Sequence, residues 1–403
     1  MTREQSIAAP TDRPCPICDG AARRSLYHQR FLEPDGAGLM GGYVVCACDA
    51  CGFTYADGLP PQQILDEHYR QRSKYEHADQ AGRESPEDRT RFEEAADILE
   101  QRFPNRHTKV LEVGASTGGF LSVMKERGYD RLLGLDPAPA CAQAARRLYD
   151  VRVEAWALGD IPHEEAPFDL IVALAVLEHI RDLRSFLEML LSPLGPNGAL
   201  FVQVPDAGRF TDYAGAPFQE FSTEHINYFS EVSLKNLLVR AGMEQQFVER
   251  TCVKESHGAI TPVLNAMFRR GSEEPSSLER DATSAPALAN YIERSRSIDE
   301  HLRAMLDAVA ARGRPVLVWG TGTHTQRLLA EGGLEGIDIA AYVDSNPHLQ
   351  GRTLGGKAIM CPGALKERSE PILISSHVFQ REIERLIREE LGLSNEIITL
   401  YPR

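Results

Sequence analysis

Four groups of residues in this 403-residue chain have the types and spacing to do chemistry. Two cysteine knuckles come first, Cys15-Pro16-Ile17-Cys18 and Cys48-Asp49-Ala50-Cys51, each turned by a nearby glycine, Gly20 and Gly52. Two C-x-x-C pairs offer four thiolates to one tetrahedral ion, so a zinc on Cys15, Cys18, Cys48 and Cys51 is expected; a closed site of this kind is structural, with no open position for water. Cys46 stands too close to Cys48 for a knuckle and is the spare. Next comes Glu112-Val113-Gly114-Ala115-Ser116-Thr117-Gly118-Gly119, with Asp136-Pro137 following 22 positions after Gly114. Gly114 and Gly118 let the backbone approach a ligand, and Asp136 is placed to accept hydrogen bonds from a ribose. Ser116 occupies the middle glycine of the dinucleotide fingerprint, which argues against NAD, and an acid before the first glycine suits a cationic or hydroxyl-bearing ligand better than a phosphate. A third group is the adjacent pair Glu224-His225, on a loop framed by Phe221, Tyr228 and Phe229. A neutral imidazole is available as a base near neutral pH. The last is Gly320-Thr321-Gly322, a second glycine turn after a strand, with Asp344 24 positions after Gly320. Thr325 replaces the third glycine there, so this turn is not expected to hold a redox dinucleotide.

The elements that must position these residues alternate between strand and helix. Val110–Val113 reads as a buried strand, Phe120–Arg127 as an amphipathic helix stopped by Gly128, and Leu132–Leu135 as a second strand ending at Asp136. A helix over 140–149, strands over 151–155 and 168–174, a helix ending near Leu191 and a strand over 199–204 continue a doubly wound α/β pattern, whose ligands sit outside the carboxyl ends of the strands. Ser230 caps a helix over 231–241 that Gly242 ends. Five regions follow: a zinc-binding domain over 1–60, a helical segment and lid over 61–108, the ligand-binding core over 109–268, a linker and bridging helix over 269–313, and a second, Rossmann-like α/β domain over 314–403. Within the lid, the polar stretch 71–85 offers Tyr75 as an aromatic contact.

Composition narrows the function. The formal net charge is −14 and no long Lys/Arg cluster occurs, which disfavours nucleic acid as partner. No apolar run reaches membrane-spanning length and no signal peptide is evident, so a cytoplasmic protein without membrane attachment is expected. Five of the eight cysteines crowd into the first 51 residues, which favours a metal site in a reducing compartment over a disulfide framework.

Taken in order, these motifs resemble those of class I methyltransferases. The run from Glu112 to Gly118 is similar to their first motif, E-x-G-x-G-x-G, with Ser116 departing at its second glycine; Asp136 matches their ribose-binding acid. Trp156-Ala157-Leu158 falls where that family contacts adenine. Phe168–Val172 with Val176-Leu177-Glu178-His179 resembles its fourth-strand region. The resemblance implies S-adenosylmethionine bound by Glu112, Gly114, Ala115, Ser116, Gly118, Asp136, Pro137, Trp156, Ala157 and Leu174. The layout of the whole chain resembles the zinc-containing sugar C-methyltransferases, which act on nucleotide-linked 4-keto deoxysugars. That implies His225 as the base forming an enolate beside the ketone, Glu224 orienting it, and Tyr228 or Tyr75 donating to the enolate oxygen. The implied partner is a small nucleotide sugar, held in part by the last domain; an O- or N-methyltransferase on the same scaffold, and a non-catalytic zinc- and nucleotide-binding protein, are the alternatives.

Overall fold

The computed structural model describes residues 13–36, 38–71, 83–255, 258–271, 277–377 and 379–401. Most of the polar stretch 71–85, Tyr75 included, lies outside them. The chain opens with three antiparallel strands, β1 (Arg23–Arg30), β2 (Gly42–Cys48) and β3 (Thr54–Asp57), followed by helices α1 (Gln62–Gln71) and α2 (Pro86–Arg102). Ser85 starts α2 as its N-cap, accepting from the Asp88 amide, with Pro86 in the first turn where its missing N–H costs nothing.

The core follows as β4 (Lys109–Val113), α3 (Gly119–Glu126), β5 (Arg131–Leu135), α4 (Pro139–Tyr149), β6 (Val153–Glu154), β7 (Phe168–Leu174), α5 (Leu183–Leu191), β8 (Leu194–Pro205), β9 (Asn227–Tyr228), α6 (Glu231–Arg240), β10 (Met243–Lys254) and β11 (Ile260–Arg270). Seven of these strands form one sheet in the order β10-β11-β8-β7-β4-β5-β6. The pairs from β8 through β6 are parallel, while β11 runs antiparallel to both of its neighbours. A strand buried on both faces is apolar throughout yet still alternates between two cores. In β7, Leu170, Val172 and Leu174 face the core that packs α2 and α3, whereas Ile171 and Ala173 face the one that packs α5 and α6. Ser230 caps α6 in a capping box with Ser233, and Gly242 follows it at φ +77°, as the sequence indicates. The short strand β9 leaves this domain and pairs antiparallel with β3, becoming the fourth strand of the N-terminal sheet.

Helix α7 (Ser284–Ala310) leads to β12 (Val316–Trp319), α8 (Thr323–Ala330), β13 (Ile339–Val343), β14 (Thr353–Leu354), β15 (Lys357–Met360), β16 (Ile372–Ile374), α9 (Gln380–Arg385) and β17 (Ile397–Thr399). These strands form a second sheet, ordered β14-β15-β13-β12-β16-β17, parallel except at β14. Helix α7 bridges as expected: Leu288, Tyr291 and Ile292 pack with the aromatic cluster of Phe210, Phe218 and Phe221, while Leu302, Leu306 and Val309 enter the core of the last domain. Among the described residues no helix is long and apolar enough to cross a membrane.

The expected linker over 269–313 differs from the structure at both ends. Arg270 still pairs with Met243 in the sheet, and Asp281 is a buried hub rather than a solvated residue. Its carboxylate accepts from the Ser230 hydroxyl at 2.7 Å, from the amide and hydroxyl of Thr283, and from the amide and hydroxyl of Ser284; its amide donates to the Cys51 carbonyl. The carboxylate thus joins the cap of α6 to the start of α7, while the backbone amide of the same residue ties both to the second cysteine knuckle. The polar composition of the stretch hides this, because the side chains that read as solvated are the ones satisfying one another. Replacing Asp281 with alanine strands buried donors at the start of two helices and is expected to lower stability by about 3 kcal/mol or more, read as a reduced midpoint in urea unfolding at unchanged slope.

Candidate functional site

The first polar focus is the turn between β4 and α3. Gly114 is solvent-exposed at φ +75°, and Ser116 adopts a left-handed conformation at φ +49°. Asp136, at the carboxyl end of β5, brackets this turn: one carboxylate oxygen accepts from the Ser116 amide at 2.9 Å and the other from the Ala138 amide at 3.0 Å. Burial raises its pKa while those two amides and the Cys141 thiol work against the rise. Of about four lone-pair sites on a carboxylate, these three donors leave acceptor capacity for a ligand hydroxyl. Glu112 lies under the turn, 3% exposed, with one oxygen lacking a hydrogen-bond partner among the described residues; burial raises its pKa well above the usual carboxylate range. An orphaned buried acid beside an open glycine turn is the state expected of a site that binds a cationic or hydroxyl-rich ligand. Ala115 is buried, Pro137 is exposed at the rim, and Leu174 closes the carboxyl end of β7. Trp156 is half-buried below the Arg152 guanidinium, 5.5 Å from the ring centroid, and Ala157 beside it is exposed.

The second focus lies after β7, the next strand in the sheet, where the segment 177–180 meets the segment 220–228. The Ile226 amide donates to the Glu178 carbonyl at 2.8 Å, and His179 Nδ1 lies 2.9 Å from the Glu224 carbonyl oxygen. The rings of His179 and His225 meet edge-on, 5.0 Å between centroids. Glu178, buried at 1% exposure, shares this cluster, and burial pushes its pKa up to about 7. His225 Nδ1 is 3.3 Å from a Glu220 carboxylate oxygen. Burial alone would lower the pKa of this ring, but Glu220, then Glu178 and Glu224, outweigh it and push it up to about 9.

The structure therefore brings His225 to the carboxyl edge of the sheet as the sequence suggests, with different supporting groups. Glu220, not Glu224, faces the ring nitrogen; Glu224 contributes its carbonyl to His179. Tyr228 is turned into the core at 2% exposure, its hydroxyl donating toward the His225 carbonyl and the Tyr43 hydroxyl, so it supports the loop and does not reach the acceptor side. Sequence reasoning missed Glu178 as an ionisable group because it sits in an apolar-looking strand-end motif, and missed Glu220 because adjacency in sequence favoured Glu224. On a loop, the residue five positions upstream can be nearer to a ring than its own neighbour.

In the N-terminal domain the four cysteine sulfurs lie within 4.8 Å of one another. Two of the Sγ–Sγ separations are 3.6 Å (Cys15–Cys51) and 3.4 Å (Cys18–Cys48), near the edge of about 3.8 Å that Zn–S bonds of ~2.3 Å impose on a tetrahedron. Gly20 and Gly52 turn the knuckles; a Cβ on Gly20 would sit 3.2 Å from Cys18 Sγ and 3.3 Å from Cys48 Sγ. Cys46 points elsewhere, its thiol donating to the Tyr55 carbonyl at 3.3 Å.

Comparison with known proteins decides what the first focus is. Residues 88–246 match the family described as a methyltransferase domain. They form a class I S-adenosylmethionine-dependent methyltransferase domain. Residues 313–399 match a second family, described as C2185-like, N-terminal. The C-methyltransferase NovU of Streptomyces niveus is 27% identical over 272 residues, a stretch covering 62% of this chain and 61% of NovU. The human mitochondrial ubiquinone biosynthesis O-methyltransferase is 31% identical over 157 residues, covering 35% of this chain and 42% of its own. Among solved structures, the 1,6-didemethyltoxoflavin-N1-methyltransferase of Burkholderia thailandensis, with bound S-adenosylhomocysteine, aligns to 60% of this chain and 100% of its own at 20% identity and a TM-score of 0.41.

Within the methyltransferase domain, Asp136 holds the turn through the Ser116 and Ala138 amides. Asp136→Ala is expected to weaken S-adenosylmethionine binding roughly ten-fold or more by calorimetry. Ser116→Gly, which relieves a left-handed residue, is expected to raise stability by about 1 kcal/mol with the cofactor still bound.

Proposed function

We propose that the enzyme is a C-methyltransferase whose acceptor is a nucleotide-linked 4-keto deoxysugar, with Glu178, His179, Glu220 and His225 as the pole that activates it. The observation carrying this reading is that pole itself: a concentration of ionisable groups at the carboxyl edge of the sheet, beside the cofactor turn. S-adenosylmethionine supplies an electrophilic methyl group when bound, and a carbon acceptor must lose a proton to become a nucleophile. A ketone acidifies the adjacent carbon, and a positioned imidazole takes the proton. His225 is assigned that role, its Nδ1 facing Glu220 so that Nε2 is turned to the acceptor. Because Glu220 and Glu178 favour the protonated ring, His225 takes a proton only after giving up its own. The similarity to NovU supports a carbon acceptor, and the second α/β domain offers a further surface for a substrate larger than the methylated sugar.

An O-acceptor on the same scaffold is the second reading, favoured by the similarity to the ubiquinone O-methyltransferase. The methyl position of the product, assigned by NMR after incubation with a panel of 4-keto nucleotide sugars, separates the two: a new C–CH3 beside the ketone supports the first, an O–CH3 overturns it. His225→Asn is expected to lower turnover by about 10²–10⁴ while S-adenosylmethionine affinity stays intact, and solvent deuterium exchange beside the ketone, measured without methyl donor, is expected to fall with it.

The cysteine cluster is assigned a structural zinc, which its four-sulfur donor set fits. Cys18→Ser is expected to lose the zinc that Cys46→Ser retains, measured by metal analysis of the two purified variants; loss from Cys46→Ser instead would reassign the ligand.

A further inference from the structure

Glu178, His179 and His225 form a second convergent donor set, unlike the cysteine cluster in chemistry. One carboxylate oxygen of Glu178 and one nitrogen from each ring lie within 4.8 Å of one another. Neither oxygen of Glu178 has a hydrogen-bond partner among the described residues, although the side chain is 1% exposed. Arg91 of α2 lowers the pKa of Glu178 by charge alone, without bonding to it, as it does that of Glu112. A buried carboxylate with both oxygens unmatched is costly to keep, and a ligand that takes them up removes the cost.

The two rings are held as metal-binding imidazoles are held. The Glu224 carbonyl oxygen can only accept, so in neutral His179 the proton sits on Nδ1 and the lone pair on Nε2. The Glu220 carboxylate, 3.3 Å from His225 Nδ1, selects the same tautomer in the second ring. A ring whose far nitrogen is fixed by a carbonyl or carboxylate is oriented and made a better donor.

We propose that Glu178, His179 and His225 bind a divalent first-row transition cation through one carboxylate and two imidazoles, with the Glu220 carboxylate and the Glu224 carbonyl fixing the rings. Two nitrogens and one oxygen suit Mn²⁺, Fe²⁺, Co²⁺ or Zn²⁺ better than Mg²⁺ or Ca²⁺, which take oxygen ligands. Three protein ligands leave coordination positions open, and the His225 side chain, 27% exposed, marks the side on which they face solvent. Binding of the ion stands apart from the function proposed above, in which His225 must be free of metal to act as the base. The Nε2 lone pair of His225 then belongs to the ion, so in any one molecule the ring is a ligand or a base, never both.

The test is titration of the full-length protein, purified with its zinc, with Mn²⁺, followed by loss of the free-ion electron paramagnetic resonance signal. Mn²⁺ prefers oxygen and nitrogen donors and competes poorly for four thiolates. One equivalent is expected to bind, at least ten-fold more weakly in Glu178→Gln and His225→Asn, and about 10–100-fold more weakly in Glu220→Gln, which touches only the ring's far nitrogen. Glu178→Gln is nearly isosteric, and unchanged S-adenosylmethionine affinity checks its fold. No Mn²⁺ bound at millimolar concentration, or equal binding by wild type and Glu178→Gln, overturns the site. The measurement needs neither acceptor nor methyl donor, so a failure to methylate keto sugars leaves it standing, and its failure leaves the methyl-transfer reading untouched.

Discussion

The geometry of the acceptor side depends on one buried side chain, Asn227. Its amide nitrogen donates to the carbonyls of Leu177 and Ile180, and its oxygen accepts from Arg13, which in turn donates to Ala56 and Arg181 carbonyls. The carbonyls at 177 and 180 belong to a short 3₁₀ turn with no strand partner; apart from Asn227 the Leu177 carbonyl has the Ile180 amide at 3.4 Å. Pairing of β9 with β3 fixes the same residue from its other side, and the Thr54 hydroxyl donates to the Tyr228 carbonyl. The N-terminal sheet is therefore part of the frame that holds His179 against Glu224 and His225 beside Glu178. A small cysteine-rich domain thus becomes structural support for the cluster of Glu178, His179 and His225.

That rigidity matters because the pole it frames is electrostatically costly. Glu112 and Glu178 are each 3% exposed or less and each has at least one oxygen without a hydrogen-bond partner among the described residues, while Glu220, 5% exposed, has the His225 ring 3.3 Å from one oxygen. Their charges are only partly balanced by Arg91 and by His225. Like charges held close in low dielectric raise one another's pKa and tend to swing apart or admit water unless packing holds them. Here the packing is supplied by backbone hydrogen bonds between two segments rather than by bonds to the carboxylates. The cost is thus stored where ligands arrive, and the binding of cationic or hydroxyl-bearing groups relieves it.

How much of this was legible in the sequence varies with the range of the interaction. The strand over 168–174 coincides with β7 because it is a local run that is apolar apart from Asp169. The turn at Gly114 and the acid at Asp136 were legible because a strand, a turn and a helix place them by local geometry. The cysteine knuckles were legible for the same reason. What the sequence concealed is mostly non-local: Asn227 reads as an ordinary loop residue and Asp281 as part of a polar linker. Tyr228 reads as a functional aromatic, yet strand pairing with β3 turns it inward. Each of these three depends on a partner 47 to 214 positions away, which no window of periodicity contains. Glu220 is local to His225 and was hidden only by the still nearer Glu224.

The two glycine turns show how one scaffold separates into different uses. In both, the acid at the end of the second strand accepts the amide of the turn and that of the residue two positions after itself: Ser116 and Ala138 for Asp136, Thr321 and Asn346 for Asp344. The bracket is the same, so it belongs to the strand–turn–helix–strand unit and not to a ligand. The difference is one hydroxyl. Thr321 donates both its amide and its Oγ1, the latter at 2.5 Å, to a single Asp344 oxygen, and Thr325 ties the following turn to Gly320 and Ser375. Ser116 gives Asp136 its amide alone, and the Cys141 thiol of α4 takes up part of what remains. One Asp344 oxygen thus accepts two donors from the turn residue itself, whereas Asp136 accepts a single one from its turn. Serine at 116 places a left-handed residue in the turn without adding a second bond from the turn to the acid.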